Sequence, residues 1–347
     1  MTTLVRHPIF FNRNRVFRVY TGGKLFHSFF GDEAVDGNLP EEWVASRVKA
    51  LNKVSAGPTE GLSFVEGTDI TFASLLEEYP QEMTGGRSFD VLVKLLDSAV
   101  RLPAQTHPDK ALSRALFKSE HGKTECWLIL ATRPDAAIYF GFKDGITRAA
   151  LERAVELSED QGDSFSELMQ KVPARAGDVW LIPARVAHAI GAGCLILEVQ
   201  EPTDFTIQPE RWCDRYRLSD QEMYLGIEPR IALDCFDLSQ TGEGVIKRGR
   251  KTAVPVERFA KGVKEALITY DDTPCFAVNR IRLDAADTAV SGPAVFVVTD
   301  GAGTVMTAAG RRGIKRGDYF FVPTAAGKVE VATETGIEII ECLPPRP

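Results

Sequence analysis

The sequence contains no apolar run long enough to cross a lipid bilayer. Its longest runs, such as residues 294–298, have the length of a β-strand, whereas a membrane-spanning helix needs ~20 apolar residues in a row. The N-terminal segment Met-Thr-Thr-Leu-Val-Arg-His-Pro also lacks the apolar core of a signal peptide. These two absences predict a cytoplasmic protein without a membrane partner.

The chain also has no excess of basic residues. Lysine and arginine together number 41, against 48 aspartate and glutamate residues, which gives a formal net charge of -7. Proteins that bind nucleic acid or anionic membranes usually carry a basic surface, so neither partner is predicted. An acidic protein that binds an anionic ligand would need a local cluster of lysine or arginine instead.

Paired cysteines are missing as well. The six cysteines lie far apart, and no Cys-x-x-Cys pair marks a thiolate zinc site or a redox motif. We expect reduced thiols that are mostly buried. Any metal ion would therefore be held by nitrogen and oxygen ligands.

Histidine is scarce, with five residues in the chain, but two of them stand in patterns that suit a metal site. Alternate side chains of a strand share a face, so Gln105 and His107 point to one side, and Lys123 and Glu125 share a side of a second strand. An amide oxygen, an imidazole and a carboxylate can bind a divalent metal. His188, which lies between a turn and a glycine-rich segment, is the expected fourth ligand.

A repeated pattern predicts two related β-units. The sequence Gly177-Asp-Val-Trp-Leu-Ile-Pro183 recurs as Gly317-Asp-Tyr-Phe-Phe-Val-Pro323, and in each copy a tight turn leads into an apolar strand that ends at proline. The fifth residue after the proline is His188 in the first copy and Lys328 in the second, and residues 268–347 contain no histidine. The second unit is therefore expected to pack against and orient the first without binding metal.

Several motifs resemble, in their order along the chain, those of type I mannose-6-phosphate isomerases, which are zinc enzymes with a cupin (jelly-roll) fold. They are Lys-Leu-Leu-Asp at 94–97, Gln-x-His-Pro-Asp at 105–109, Gly-Lys-Thr-Glu-x-Trp at 122–127, Pro-x4-His-Ala-Ile-Gly-x-Gly at 183–193 and Glu-x-Gln at 198–200. Segments 14–25 and 41–46 add to the match. The resemblance covers most of residues 8–207.

The resemblance implies a function and a set of ligands. One Zn2+ per chain would be held by Gln105, His107, Glu125 and His188. The expected reaction interconverts mannose 6-phosphate and fructose 6-phosphate through an enediol(ate), because zinc can polarise a carbonyl and stabilise the negative charge that develops. Two alternatives stay open: an isomerase of an unphosphorylated or different sugar, and a non-catalytic sugar-binding cupin that contains a metal.

The resemblance also implies roles near the metal. Lys123 is assigned electrostatic or proton-transfer help in catalysis and contact with substrate, and Trp43 is expected in the wall of the sugar site. Relatives usually carry an arginine at the apparent position of Gln208. Arg185 and Arg211 are the nearby cations that could replace that arginine in binding the substrate.

The predicted fold is mainly β, with two jelly-roll (cupin) β-sandwich domains and a small helical insertion. The first, residues 1–235, would be the metal-binding catalytic domain with a short helical insert at about 144–171. The second, residues 236–347, would be a β-sandwich without metal ligands. Local patterns predict helices at 70–79, 109–117, 147–157, 165–170 and 219–225, a strand–turn–strand unit at 8–30, a strand edge or a short helix at 41–46, and an irregular connection at 209–251.

Overall fold

The computed structural model describes residues 3–52, 57–160 and 162–346. Within these ranges most of the regular structure consists of antiparallel strands, so the predicted mainly β class is confirmed. The seven-stranded sheet is formed, in spatial order, by Arg250–Lys251, Val179–Ile182, Glu125–Thr132, Cys194–Gln200, Leu92–Asp97, Glu41–Val44 and Arg15–Val16. A three-stranded sheet contains Met169–Pro173, Ala137–Phe142 and His188–Ile190. We call these two sheets together the first roll.

The second roll is a ten-stranded sheet. Its main path runs through Ile9–Phe10, Tyr319–Val322, Ala294–Thr307, Ile337–Leu343, Ala277–Leu283, Gly262–Ile268 and Val254–Phe259. Three further strands pair off this path, namely Asp287–Ser291, Gly310–Lys315 and Lys328–Ala332. A separate hairpin is formed by Trp212–Cys213 and Tyr216–Arg217.

Each roll takes one short strand from the other end of the chain. Ile9–Phe10 pairs with Tyr319–Val322 in the second roll, and Arg250–Lys251 pairs with Val179–Ile182 in the first. The division into residues 1–235 and 236–347 stays a prediction, and the strand pairing crosses it in both directions.

Strand alternation separates two cores. On strand Glu125–Thr132, Cys126 and Leu128 pack into the core between the two rolls, whereas Trp127 and Ile129 pack inside the first roll. Because side chains alternate along a strand, Glu125 shares the inner face with Trp127. Glu125, one of the predicted metal ligands, therefore points into the first roll.

The repeated Gly-Asp turns have matching backbone geometry. Gly177 and Gly317 have φ values of 91° and 89°, in the left-handed region that favours glycine. Each following aspartate accepts a backbone N–H three residues upstream, that of Arg175 at 3.0 Å and that of Lys315 at 2.8 Å. The repeat predicted from the sequence is therefore present in the backbone of both rolls.

Four of the predicted helices are confirmed. Each begins after a threonine, aspartate or serine whose side chain accepts a backbone N–H of the first turn, as expected for an N-cap. They are Phe72–Glu78, Lys110–Phe117, Arg148–Leu157 and Asp220–Tyr224. The remaining α-helices are Phe26–Phe30, Pro80–Thr84, Pro229–Ala232 and Gly242–Gly249, and the 3-10 turns are Leu4–Arg6, Ser166–Leu168, Leu233–Cys235 and Thr324–Ala326. No helix in the described ranges has both the length and the apolar character that a bilayer crossing requires.

Three local predictions need correction. The lead-in at 8–30 contains helix Phe26–Phe30, since Phe26 and Phe29 pack into the core between the rolls. The predicted helical piece at 165–170 is a single 3-10 turn followed by a strand. The ambiguous segment at 41–46 forms a strand.

The connection at 209–251 is more regular than predicted and includes helix Gly242–Gly249. Glycine is a poor helix former, which hid this helix in the sequence. A Cβ atom at Gly249 would meet the ring of Phe140 at 2.4 Å. Tertiary packing, rather than helix propensity, therefore explains glycine at this position.

Candidate metal centre and active site

His107, Glu125 and His188 meet inside the first roll. The Nε2 atoms of the two histidines lie 3.1 Å apart, and they lie 3.2 Å and 3.4 Å from the two carboxylate oxygens of Glu125. All three residues are buried, and each offers one ligand atom to a common point. A tetrahedral zinc ion with ligand bonds of ~2.0–2.1 Å places its ligand atoms ~3.4 Å apart. The spacing of these atoms therefore fits one zinc-sized ion.

Carbonyl groups orient both imidazole rings. Nδ1 of His107 lies 2.9 Å from the carbonyl oxygen of Phe205, and Nδ1 of His188 lies 2.9 Å from that of Val186. With a proton on Nδ1, each ring presents the lone pair of Nε2 to the cluster. The ring orientations are thus those that a metal site requires.

Burial keeps the two histidines neutral. It lowers the pKa of His107 to about 3, with a further contribution from the Lys123 ammonium, and it also lowers the pKa of His188. Burial alone would raise the pKa of Glu125, but Lys123, together with His107 and His188, outweighs that effect and holds this pKa well below its usual range. At neutral pH the cluster is therefore two neutral imidazoles and a carboxylate, which is the protonation state that binds metal.

Gln105, the fourth predicted ligand, lies beside this cluster. Its backbone exchanges two hydrogen bonds of 2.9 Å with His188, and its side chain lines a cavity of about 480 Å³ in the first roll. Ligation by its amide oxygen stays a prediction. Its placement next to His188 and at the cavity surface is what a fourth ligand would need.

Lys123 lies where the sequence predicts, on the cavity wall next to the cluster. Its Nζ is 2.5 Å from Oε2 of Glu125 and 2.8 Å from Nε2 of His107. The side chain is buried. The structure therefore brings Lys123 to the candidate site, while its catalytic role stays a prediction.

Trp43 does not form the wall of the cavity. It is fully buried, and its Nε1 donates a hydrogen bond of 2.6 Å to Glu41. Nζ of Lys94 lies 4.7 Å from the centre of its ring. Trp43 therefore supports the cavity residues Glu41 and Lys94 from behind, and its predicted contact with the sugar stays a prediction.

The two arginines proposed to replace the family's arginine lie outside the cavity lining. Arg185 has a positive φ of 71° and donates a hydrogen bond to the carbonyl of Asp234 at 3.2 Å. Arg211 forms ion pairs with Glu159 and Asp220 at 2.7 and 2.8 Å. Each arginine is paired with partners outside the lining, and their predicted contacts with the substrate stay predictions.

Gln208, by contrast, does line the cavity. Its amide nitrogen donates a hydrogen bond of 3.0 Å to the carbonyl of Glu222, in the helix Asp220–Tyr224. The residue at the apparent position of the family's arginine is therefore neutral in this chain and tied to the cavity's outer wall.

Sequence reasoning missed a buried charged network on the inner face of the seven-stranded sheet. Lys94 lies 3.5 Å from Glu198, 3.8 Å from Asp204 and 4.0 Å from Glu41, and Arg18 pairs with Asp204 and Glu41 at 3.1 and 3.0 Å. Lys94 and Glu198 each stand on a largely apolar buried strand. A charge inside such a strand lowers the stability of the fold unless it is paired. A lysine and a glutamate within apolar strands were therefore the sequence signal for this network.

Two glutamates of this network have opposite pKa shifts. Burial, together with the nearby charge of Glu125, raises the pKa of Glu198 to about 7. Burial would also raise the pKa of Glu41, but Arg18 and Lys94 hold that pKa at about 2. Glu198 is therefore a cavity carboxyl that can both accept and release a proton near neutral pH.

The fold and the cluster together define a cupin-type β protein with a buried imidazole and carboxylate set suited to a metal ion. No protein-family model matches the chain. It is 23% identical over 321 residues to a mannose-6-phosphate isomerase of Streptococcus mutans, in an alignment that covers 91% of this chain and 92% of the relative.

Two Bacillus subtilis relatives match shorter segments. Identity is 30% over 226 residues with the mannose-6-phosphate isomerase ManA, covering 64% of this chain and 62% of the relative. Identity is 28% over 218 residues with the probable mannose-6-phosphate isomerase GmuF, covering 62% and 64%. The chain thus spans slightly less than two thirds of the length of these two relatives. The resemblance to mannose-6-phosphate isomerases predicted from the motifs is confirmed.

Solved structures confirm the cupin fold. The crystal structure of the Bacillus subtilis mannose 6-phosphate isomerase gives a TM-score of 0.73 at 21% identity and covers 96% of this chain and 99% of that one. A mannose 6-phosphate isomerase bound with zinc and yttrium gives a TM-score of 0.67 at 15% identity, covering 98% and 100%.

Proposed function

We propose that the chain is a zinc-dependent aldose–ketose isomerase that interconverts mannose 6-phosphate and fructose 6-phosphate. The observation that carries the proposal is the buried cluster of His107, Glu125 and His188, beside a sugar-sized cavity that its neighbours Gln105 and Lys123 line. The sequence relatives that share the motifs are named for this reaction, and a structural neighbour is bound with zinc. The residues of this chain fit that ion in donor type, protonation and spacing.

The reaction moves a proton between two adjacent carbons of the sugar, and zinc would supply stabilisation of the negative charge that develops on the sugar oxygens. The chain must therefore supply a group that takes the proton and returns it. Glu198 lines the cavity, is buried, and has a pKa of about 7. We assign Glu198 the role of this base, since its pKa lies near the working pH.

Two further residues would support the candidate base and the substrate. Trp127 donates a hydrogen bond from Nε1 to Glu198 at 3.2 Å and to Glu125 at 3.1 Å, which fixes the orientation of both carboxylates. The Lys94 ammonium lies on the cavity surface, where it can donate to an oxygen of the sugar phosphate. The contact with Trp127 therefore gives the candidate base a fixed orientation.

A second candidate function, the same isomerisation of an unphosphorylated aldose, is favoured by the charges in the cavity. A sugar phosphate brings close to two negative charges. Among the described residues that line the cavity, the cations Arg18 and Lys94 face the carboxylates of Glu41 and Asp204. Lys123 faces the carboxylate of Glu125, and Gln208 is neutral. A neutral sugar would be bound without competing with these carboxylates.

A coupled assay separates the candidates. Zinc-loaded protein is mixed with mannose 6-phosphate, with mannose and with other aldoses, and the ketose product is measured. We expect a higher kcat/KM for mannose 6-phosphate than for mannose. A preference for the free sugar would replace the leading proposal with the second candidate, and a lack of ketose from every sugar would refute both.

A further inference from the structure

Lys123 makes hydrogen bonds to the same atoms that would bind the metal. Its Nζ lies 2.5 Å from Oε2 of Glu125 and 2.8 Å from Nε2 of His107. Because Nδ1 of His107 faces the carbonyl of Phe205, Nε2 carries the only lone pair of the neutral ring. That lone pair can accept a hydrogen bond from the ammonium or coordinate a metal ion, but it cannot do both.

We propose that Lys123 and the metal ion exchange at this site. Metal binding displaces the ammonium from His107 and Glu125 and turns it into the cavity, where it can donate to an oxygen of the substrate. The inference rests on the metal-dependent function proposed above and adds a coupling to it. Metal binding and the movement of the Lys123 ammonium toward the substrate are therefore coupled.

The burial of Glu125 explains why Lys123 is needed as a second cation besides the metal ion. Glu125 is fully buried and Lys123 is nearly so, and a buried carboxylate without a compensating charge is strongly destabilising. The ammonium supplies that charge whenever the ion does not. Lys123 therefore keeps the ligands assembled and at the same time opposes metal binding.

The cavity gives the displaced side chain a place to go. Lys123 already lines this space of about 480 Å³, so a rotation of its flexible stem can carry the ammonium away from the ligands without moving the strands. The carboxylate of Glu198 lies in the same lining and offers an acidic environment for the released ammonium.

The test is the zinc affinity of Lys123→Met, measured by competition with a chelator of known affinity. Methionine keeps a long side chain but removes the charge and the hydrogen bonds. We expect the Kd for zinc to fall by about tenfold or more, the scale on which groups bonded to metal ligands act. The chelator-treated variant should also unfold at a lower temperature than chelator-treated wild type, and zinc should raise its Tm by more than it raises that of wild type.

Lys94→Met is the matched control. Lys94 is another buried cavity lysine, and its ion pairs are with Glu41, Glu198 and Asp204 rather than with the metal ligands. If general charge repulsion controlled zinc affinity, both variants would bind zinc more tightly. The exchange predicts a Kd for Lys94→Met within about threefold of wild type.

Unchanged or weaker zinc binding by Lys123→Met would overturn the exchange, as would an equal tightening in Lys94→Met. If Lys123→Met does not fold, crystal structures of wild type with zinc and with chelator decide, because Nζ must lie beyond hydrogen-bond distance of His107 Nε2 in the zinc form. Tighter zinc binding without isomerase activity on any aldose would refute the proposed function alone. Isomerase activity with unchanged zinc affinity would refute the exchange alone.

Discussion

The two rolls share a turn and differ in what fills them. In the first roll the Gly177 turn leads through Val179–Ile182 to His188, and the inner face carries buried charges such as Glu125 and Glu198. In the second roll the Gly317 turn leads through Tyr319–Val322 to Lys328, which is exposed. The interior there is a cluster of valine, isoleucine and phenylalanine side chains.

This difference shows which residues distinguish the roll with the candidate metal site from the roll without one. The backbone frame, with its glycine turns and antiparallel pairing, is common to both copies and is stabilised by apolar packing. The first roll replaces inner-face apolar residues with charges that pair with one another, at a cost in stability. The second roll keeps an apolar interior, and together the two rolls enclose the core that lies between them.

The largest effect on turnover is expected from Glu198→Gln, which removes the proposed base from the first roll. The variant keeps the shape of the side chain but cannot take a proton, so kcat should fall by about 10²–10⁴-fold. Glu330→Gln, on an exposed position of the second roll, is the control and should keep wild-type kcat. A comparable kcat in Glu198→Gln would exclude Glu198 as the base.

We expect the same carboxyl to set the pH dependence of kcat in wild type. The pKa of Glu198 is raised to about 7, so the group is protonated and inactive as a base below that pH. Turnover should fall as the pH is lowered through about 7 and level off above it, measured as kcat against pH. A flat profile between pH values of about 5 and 8 would contradict the assignment.

Phe320→Ala instead removes a large side chain from the core of the second roll. Phe320 is fully buried and stacks on Phe296 with ring centres 5.3 Å apart. The substitution should lower the free energy of unfolding by about 3–5 kcal/mol, measured by denaturant titration. Zinc content per folded chain should stay that of wild type, and a loss of zinc from a folded Phe320→Ala protein would show that the rolls are not separable in function.

The smallest effect is expected from Arg185→Ala, outside the cavity. Because Arg185 contacts backbone and surface groups rather than the cavity, kcat/KM for mannose 6-phosphate should stay within about threefold of wild type. Lys94→Met, inside the cavity, should lower the same quantity by more than tenfold through loss of a charged hydrogen bond. A reversed order would restore Arg185 as the phosphate-binding cation.

Much of the fold could be read from the sequence because its signals are local. The Gly-Asp turns, the N-cap residues and the apolar strands each depend on neighbours in the chain. The helix Gly242–Gly249 could not be read in this way, since Gly249 is there to pack closely on Phe140. Its existence depends on a contact with a strand far away in sequence.

The candidate site likewise contains some residues that could be identified from the sequence and others that could not. His107, Glu125 and His188 could be identified because strand alternation and motif order place them. The positions of Arg185 and Arg211 could not, since proximity in sequence to a ligand does not fix where a long side chain finds its partner. Glu198 needed the structure, because its raised pKa comes from burial and from the charge of Glu125 across the sheet.

The most direct test of the account is the zinc content of wild type, His107→Ala, His188→Ala and Lys328→Ala, measured by elemental analysis on freshly purified protein. The account predicts about one zinc per chain in wild type and in Lys328→Ala, and a loss of zinc from both histidine variants with the fold retained by circular dichroism. Wild type without a divalent metal, or histidine variants that keep it, would contradict the claim that the first roll alone carries the metal centre.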